Sequence, residues 1–398
     1  MSGAASIELD EIMATKSGSV DPAKFPDELF DLYSIPAFDR GEPEVLAGKE
    51  IGSAKQIVEP GDVLLSKIVP HIRRSWVVGA NRGRRIIASG EWIVFRSHRV
   101  HPRYLRHVLV GDPFHAQFMS TVSGVGGSLL RARPAHVARI KIPLPPLPEQ
   151  RRIAEILDKA DALRVKRRAA LAQLDILTQS IFLDMFGDPA TNPKQWPRVG
   201  LRDAYWFQEG PGVRKWQFQE EGVKLLNVGN IEKDGSLNLD KTNRYLATAE
   251  AFGKYRHFLV DAGDLVIASS GISFDVDGLL RTRGAFVSEE HLPLCMNTST
   301  IRFKAIEGVS DLRFLWVWLD SREFRSQITR FVTGSAQQNF GPSHLSSLLI
   351  TLPPLAVQHE LARRVLAVDT LRVDHRASVA ELDCLFSSLQ HRAFRGEL

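Results

Sequence analysis

Two long stretches of the chain repeat apolar residues at alternating spacings of three and four, a pattern that predicts two long amphipathic helices. The first stripe runs through Ile153, Ile156, Ala160, Leu163, Arg167, Leu174, Leu177 and Ile181. The second runs through Leu361, Val368, Leu371, His375, Leu382, Leu385 and Leu389. Proline inside a helix removes a donor and clashes with the preceding turn, so Pro145, Pro146 and Pro148 mark the first helix start, and Gly187 with Pro189 marks its end. Roughly thirty residues at 1.5 Å each make a rod of about 50 Å, the length of a spacer. Each stripe needs a partner, and the other copy is the available one. A local two-fold would pack them as an antiparallel coiled coil, with Arg167 and His375 at equivalent places near mid-helix, where a polar residue fixes register.

The rest of the chain reads differently. Short runs rich in Val, Ile and Phe, broken by Gly, Pro and Asn, predict strands at 63–66, 92–95, 224–228, 264–268 and 300–303, and helices at 103–121 and 311–331. The class is mixed α+β, in the order globular unit, long helix, globular unit, long helix.

That order is a tandem duplication. Leu144-Pro145-Pro146-Leu147 returns as Leu352-Pro353-Pro354-Leu355, a displacement of 208 residues, and the match continues without a gap through Gln150 and Gln358, Asp161 and Asp369, Arg164 and Arg372, Asp175 and Asp383, to Phe186 and Phe394. Upstream the echo is fainter, Gly61-Asp62-Val63-Leu64 answering Gly263-Asp264-Leu265-Val266. The boundaries that follow are 1–143 and 191–351 for two globular domains, with helical segments at 144–190 and 352–398.

The length of 398 residues exceeds what one core supports, and 44% hydrophobic with 24% charged residues is globular composition. The longest strongly apolar run, 314–319, is too short to span a bilayer. With two cysteines, Cys295 and Cys384, and no basic-then-apolar N-terminal segment, the reading is a cytoplasmic protein without a disulfide framework. The net charge of +5 is a weak signal, but its distribution is not even. Residues 1–66 hold five Lys/Arg against thirteen Asp/Glu, whereas 67–106 hold ten Lys/Arg against Glu91 alone. Such a basic block is a candidate nucleic-acid surface.

Catalytic signatures are missing. The chain has no Gly-x-x-x-x-Gly-Lys-Ser/Thr phosphate loop, no Asp/Glu-x-Lys tripeptide of metal-dependent nucleases and no Asn/Asp-Pro-Pro-aromatic motif of amino-methyltransferases. Gly124-Val125-Gly126-Gly127 follows a helical stretch rather than a strand and reads as a loop, and His98 with His101 has no neighbouring carboxylate pair or cysteine to complete a metal site.

With the duplication, the Pro-marked helix starts running into Gln150, the 225–231 run Leu-Leu-Asn-Val-Gly-Asn-Ile, the 262–269 run and the 333–337 run, the sequence resembles the specificity subunit of type I restriction-modification systems. The resemblance covers nearly the whole chain, with the first domain departing more: it has no counterpart of 227–231. It implies two tandem α+β target-recognition domains, each reading one half of a bipartite site in double-stranded DNA, separated by two long helices that set the gap. It also implies two modification subunits as partners, restriction subunits in the full complex, and no membrane. S-adenosylmethionine, ATP and Mg would belong to those partners, with no catalytic group, cofactor or metal in this chain. Phosphate and base contacts would then fall to Lys67, Arg73, Arg74, Arg82, Arg84, Arg85, Arg96 and Arg99 in the first domain. In the second they fall to Arg214, Lys215, Trp216, Arg281, Arg283, Gln337, Gln338 and Asn339. The alternatives are a single-chain nuclease or methyltransferase with unrecognised motifs, and a coiled-coil adaptor that never touches DNA.

Overall fold

The computed structural model describes residues 5–14, 18–123, 130–188, 191–275, 277–331 and 339–398. The chain divides into two compact units, residues 1–168 with 377–398, and residues 169–376, so each unit includes part of both long helices.

In the first unit a five-stranded sheet runs in the order Ser19–Val20, Lys55–Ile57, Arg85–Ala88, Leu29–Tyr33, Glu44–Ala47, with Leu29–Tyr33 parallel to Arg85–Ala88. A three-stranded antiparallel sheet sets Val63–Ser66 between Ser75–Val77 and Trp92–Phe95. The 103–121 segment, expected as one helix, is two, Pro102–Val110 and Asp112–Ser120, because Pro113 cannot donate to the preceding turn and the backbone turns at Gly111. Gly111 is also a close approach: a Cβ there would sit 2.9 Å from the Phe394 ring.

In the second unit Thr300–Ala305 lies between Tyr205–Glu209 and Leu265–Ala268, with Gly284–Phe286 completing an antiparallel sheet. A second sheet orders Phe218–Gln219, Tyr245–Leu246, Val223–Leu226 and Leu294–Met296. The 311–331 segment is likewise split, into Leu312–Trp318 and Arg322–Thr329, the second capped by the Ser321 hydroxyl accepting the Phe324 N–H at 3.3 Å.

The repeat seen in the sequence becomes a repeated frame. Ser6–Glu8 pairs antiparallel with Lys141–Pro143 in one unit, and Arg198–Gly200 with Leu349–Thr351 in the other. Buried Gln150 accepts the His101 N–H at 2.7 Å and donates to the Arg99 and Pro145 carbonyls; buried Gln358 accepts the Asp311 N–H at 2.9 Å and donates to the Val309 and Pro353 carbonyls. Gly61 and Gly263 turn the chain at φ +90° and +88°, a left-handed conformation open to glycine, and place the next residue, Asp62 or Asp264, in the core. Asp62 accepts the Glu59 N–H at 2.8 Å, and Asp264 the Asp261 N–H at 2.9 Å.

The long helices span Leu147–Phe186 and Leu355–Arg395, about 60 Å each at 1.5 Å per residue. Within the first unit Arg164 and Arg168 reach Asp383 at 2.6 and 2.7 Å, and Arg164 lies over the Phe386 ring. Within the second, Arg372 donates to the Leu174 carbonyl at 2.9 Å and to the Thr178 hydroxyl at 2.8 Å. The packed stripe differs from the predicted one. Ile153, Ala160, Leu361 and Val368 are buried, and Ile156, Arg167, Leu174, Ile181, His375, Leu382 and Leu389 are half-buried, but Leu163, Leu177, Leu371 and Leu385 are exposed. The second member of each heptad sits one residue later, at Leu157, Thr178, Val365 and Phe386, with half-buried Arg164 and Arg372 continuing it. Polar side chains at three of these six places hide the stripe from a hydrophobic pattern, because an arginine buries its stem and keeps only its head polar. One 18-residue window of the first long helix reaches a mean hydropathy of 1.2, long and apolar enough by composition to cross a membrane; Phe182 and Phe186 of that helix lie in the second unit's core.

Candidate nucleic-acid interface

Most arginines of the first unit's basic block carry an acidic partner, while Arg73, Arg82, Arg85, Arg96 and Arg99 remain exposed. Arg74 grips Asp39 at 2.9 and 3.0 Å, Arg84 donates to Asp31 at 2.7 Å, and Arg85 pairs with Glu28 through two nitrogens while lying 4.1 Å over the Phe25 ring. Arg96 holds both oxygens of Asp62 at 2.7 Å and reaches Glu59, Arg99 meets Glu11 at 3.1 Å, and Arg73 meets Asp112 at 2.6 Å. The cause is topological. The acidic stretch 1–66 and the basic stretch 67–106 form neighbouring strands, with Phe30 opposite Arg85 and Asp31 opposite Ile86, so the two charge blocks neutralise each other. Hydrogen bonding to arginine holds the Glu28 and Asp39 carboxyls below their ordinary range, and Asp62 holds the Arg96 guanidinium above its own. Of the eight residues, Lys67 and Arg82 have no carboxylate partner among the described residues.

Asp264 repeats the Asp62 arrangement with different cations. Arg302 lies 3.6 Å and Lys304 3.2 Å from it, and both sit on the strand beside it. Arg96 and Arg302 therefore belong to the frame.

The second unit opens a cleft of about 480 Å³ lined by Val213, Phe218, Asn227, Thr242, Arg244, Ser270, Asn297 and Thr298 among others. Its floor is a closed amide network. Asn227 accepts from Asn297 Nδ2 at 2.9 Å and donates to the Leu225 carbonyl, Asn230 accepts the Asn227 N–H and the Thr242 hydroxyl, and Asn230 Nδ2 donates to the Asn238 carbonyl. The 225–231 motif thus shapes the floor. Arg214, Lys215 and Trp216 are exposed and lie in the chain between the cleft-lining Val213 and Phe218, and Trp216 is 79% exposed. Arg281 is drawn to Asp320 at 3.4 Å and Arg283 donates to the Ile231 carbonyl at 3.2 Å, so both are partly committed within the unit. Asn339 is exposed and its backbone bridges Ser270, as Arg131 bridges Ile68 in the first unit; Gln337 and Gln338 lie outside the described residues. Sequence reasoning missed Arg244 and Thr298. No local spacing marks them: the pairing of Tyr245–Leu246 with Phe218–Gln219 brings Arg244 over the Phe218 ring. Among the described residues no group of three His, Cys, Asp or Glu side chains could hold a metal ion.

Residues 76–173 match the family model for the type I restriction modification DNA specificity domain. The type I restriction enzyme MjaVIII specificity subunit of Methanocaldococcus jannaschii is 26% identical over 254 residues, 58% of this chain and 56% of that protein. The EcoKI specificity subunit of Escherichia coli K12 is 26% identical over 292 residues, 69% of this chain and 61% of that protein. Over these stretches the chain is similar to type I restriction-modification specificity subunits. It spans 56% to 61% of the length of these two specificity subunits. The fold is shared as well. The type I restriction-modification S subunit of M. genitalium matches with a TM-score of 0.59 at 9% identity over 99% of this chain and 97% of that one. A solved chain described under "Structural basis underlying complex assembly and conformational transition of the type I R-M system" matches with a TM-score of 0.57 at 19% identity, over 100% of this chain and 99% of that one. The segment 76–173 that matches the family model takes in the Trp92–Phe95 strand, the two helices Pro102–Val110 and Asp112–Ser120 and the first part of the long helix.

Proposed function

We propose that this chain is the DNA-recognition subunit of a type I restriction-modification complex, with each unit reading one half of a bipartite duplex site. The observation that carries this is one frame with two different faces. Gln150 and Gln358, and Asp62 and Asp264, make equivalent bonds, while the surfaces differ: among the described residues the first unit has no counterpart of the Asn227–Asn230 network. A fixed frame with divergent faces suits two modules that recognise different half-sites in the same way.

In this reading the two long helices pair as an antiparallel coiled coil under a pseudo-two-fold and set the unread gap. The contacts of Arg164 with Asp383 and of Arg372 with Thr178 support that pairing. The exposed Leu163, Leu177, Leu371 and Leu385, at matching places in both copies, support docking of one modification subunit on each half. Restriction subunits join the full complex. The chain itself is non-catalytic and works in the cytoplasm, and S-adenosylmethionine, ATP and Mg act in the partners. The test is to exchange residues 201–347 for the corresponding segment of another specificity subunit and to sequence methyl-adenine in the host. One half of the methylated motif should change and the other stay. A change in both halves, or loss of methylation by a folded exchange protein, would refute the modular reading.

A further inference from the structure

The second unit holds a feature that folding does not explain. The short turn Lys215–Gln217 is fixed from below by buried Gln217, whose amide donates to the Tyr255 hydroxyl at 3.1 Å and to Glu250 at 3.3 Å, and whose oxygen accepts the Arg214 N–H at 3.0 Å. The same rigid turn points the Trp216 ring at solvent, 79% exposed. A large aromatic held out on an anchored turn carries apolar area that only a partner can cover. Val213 and Phe218, on either side of that turn, line the cleft, and Arg244 reaches the cleft from the next strand, 5.1 Å over the Phe218 ring. Among the described residues Arg214, Lys215 and Arg244 have no carboxylate partner, unlike most arginines of the first unit's basic block. Three uncompensated cations, an exposed indole and a floor of side-chain amides and hydroxyls form a surface for a polyanion that also has stackable rings and hydrogen-bonding edges.

Building on the DNA-recognition reading, we propose that this cleft is the base-reading element of the second unit, with Trp216 acting as a wedge against a base step and Arg244 contacting a base edge beside it. Arg214 and Lys215, exposed between the cleft-lining Val213 and Phe218, take the flanking phosphates. Insertion of an apolar ring at a step partly unstacks it and brings the base edges closer to the protein, so the preferred step is one that unstacks easily. Arginine suits the edge contact because its fork matches the two acceptors of guanine.

The test uses the full chain and a pool of randomised duplex DNA at one fixed salt concentration. The wild-type chain should enrich a bipartite motif. On that duplex Trp216→Ala should bind roughly 5- to 150-fold more weakly, the range that loss of one base-stacking contact gives, while Trp216→Phe should stay within a few-fold. Arg244→Gln should keep general affinity but relax base preference at one or two positions of one half-site, leaving the other half intact. With 2-aminopurine placed in that half-site, the wild type and Trp216→Phe should brighten the probe on binding and Trp216→Ala should not. Because Trp216 and Arg244 are exposed, the variants should match the wild type in circular dichroism and melting. If the wild type enriches a motif and both Trp216→Ala and Arg244→Gln enrich the same motif with equal affinity, the cleft does not read bases although DNA recognition stands. Loss of preference in both half-sites by a folded variant would also overturn it. If the wild type enriches no sequence, the DNA-recognition reading fails, and this inference with it.

Discussion

Arg96 separates a structural role from a DNA-facing one. Its guanidinium binds both oxygens of Asp62 at 2.7 Å, and Asp62 is 1% exposed. Arg96→Met keeps the aliphatic stem and removes the charge, leaving a buried carboxylate whose remaining hydrogen bond is the Glu59 N–H at 2.8 Å. Breaking a buried pair from one side costs about 3–5 kcal/mol; with the Arg96 side chain 35% exposed, water recovers part of this, and about 2–3 kcal/mol is expected. For a unit of this size that lowers the melting temperature of its own transition by roughly 5–10 °C. In an Asp62→Asn background no buried charge remains to strand, since the amide oxygen still accepts from Glu59, and the same Arg96→Met change should cost less than about 1 kcal/mol. The double-mutant cycle should therefore return a coupling near 2 kcal/mol. The companion measurement is the salt dependence of DNA binding, whose slope should not change, because a paired Arg96 displaces no counterion from phosphate. A slope reduced by about one contact, with no loss of stability, would show that Arg96 faces DNA and that its pairing with Asp62 is not what holds it.

The other predictions follow from the same frame and from the helices. Gln150→Ala and Gln358→Ala each orphan one part-buried N–H and two carbonyls, so each should destabilise its own unit by about 3 kcal/mol and spare the other, as unit-resolved hydrogen exchange would report; a loss in the wrong unit would refute the equivalence. Burial holds His107 below the ordinary histidine value, opposed by its Asp158 hydrogen bond at 2.8 Å and by Asp161, and aided by Arg106. The unfolded chain then binds the proton more readily, so this contribution to the first unit's stability is whole above about pH 6.5 and is lost as pH falls through the lower folded value, and His107→Gln should flatten that part of the pH–stability curve. Four residues inserted into both long helices, near 170 and 378, add about one turn and roughly 6 Å, so the unread gap of the methylated motif should grow by one or two base pairs with both halves unchanged; an indifferent gap would show that the helices do not set the spacing.

The sequence by itself determined the features that depend on local periodicity and on repetition. The 208-residue repeat, the Pro-marked starts of both helices and the Gly-Asp turns before Val63–Ser66 and Leu265–Ala268 are legible because each is written in contiguous residues whose backbone has few other choices. The tertiary structure decided what touches what. A run of ten cations read as a DNA surface in one dimension, but strand pairing laid it against the acidic stretch that precedes it, and Arg74, Arg84, Arg85 and Arg96 became ion-pair partners of Asp39, Asp31, Glu28 and Asp62. The helix stripe shifted by one place because Arg164, Thr178 and Arg372 pack while Leu163, Leu177 and Leu371 do not, and a polar head on a packing stem is invisible to a hydrophobic count. The cleft beside Trp216 was the least legible of all. Val213, Arg244, Ser270 and Thr298 are scattered over more than eighty positions, and only the pairing of strands, fixed by which faces must be buried, gathers them around one opening.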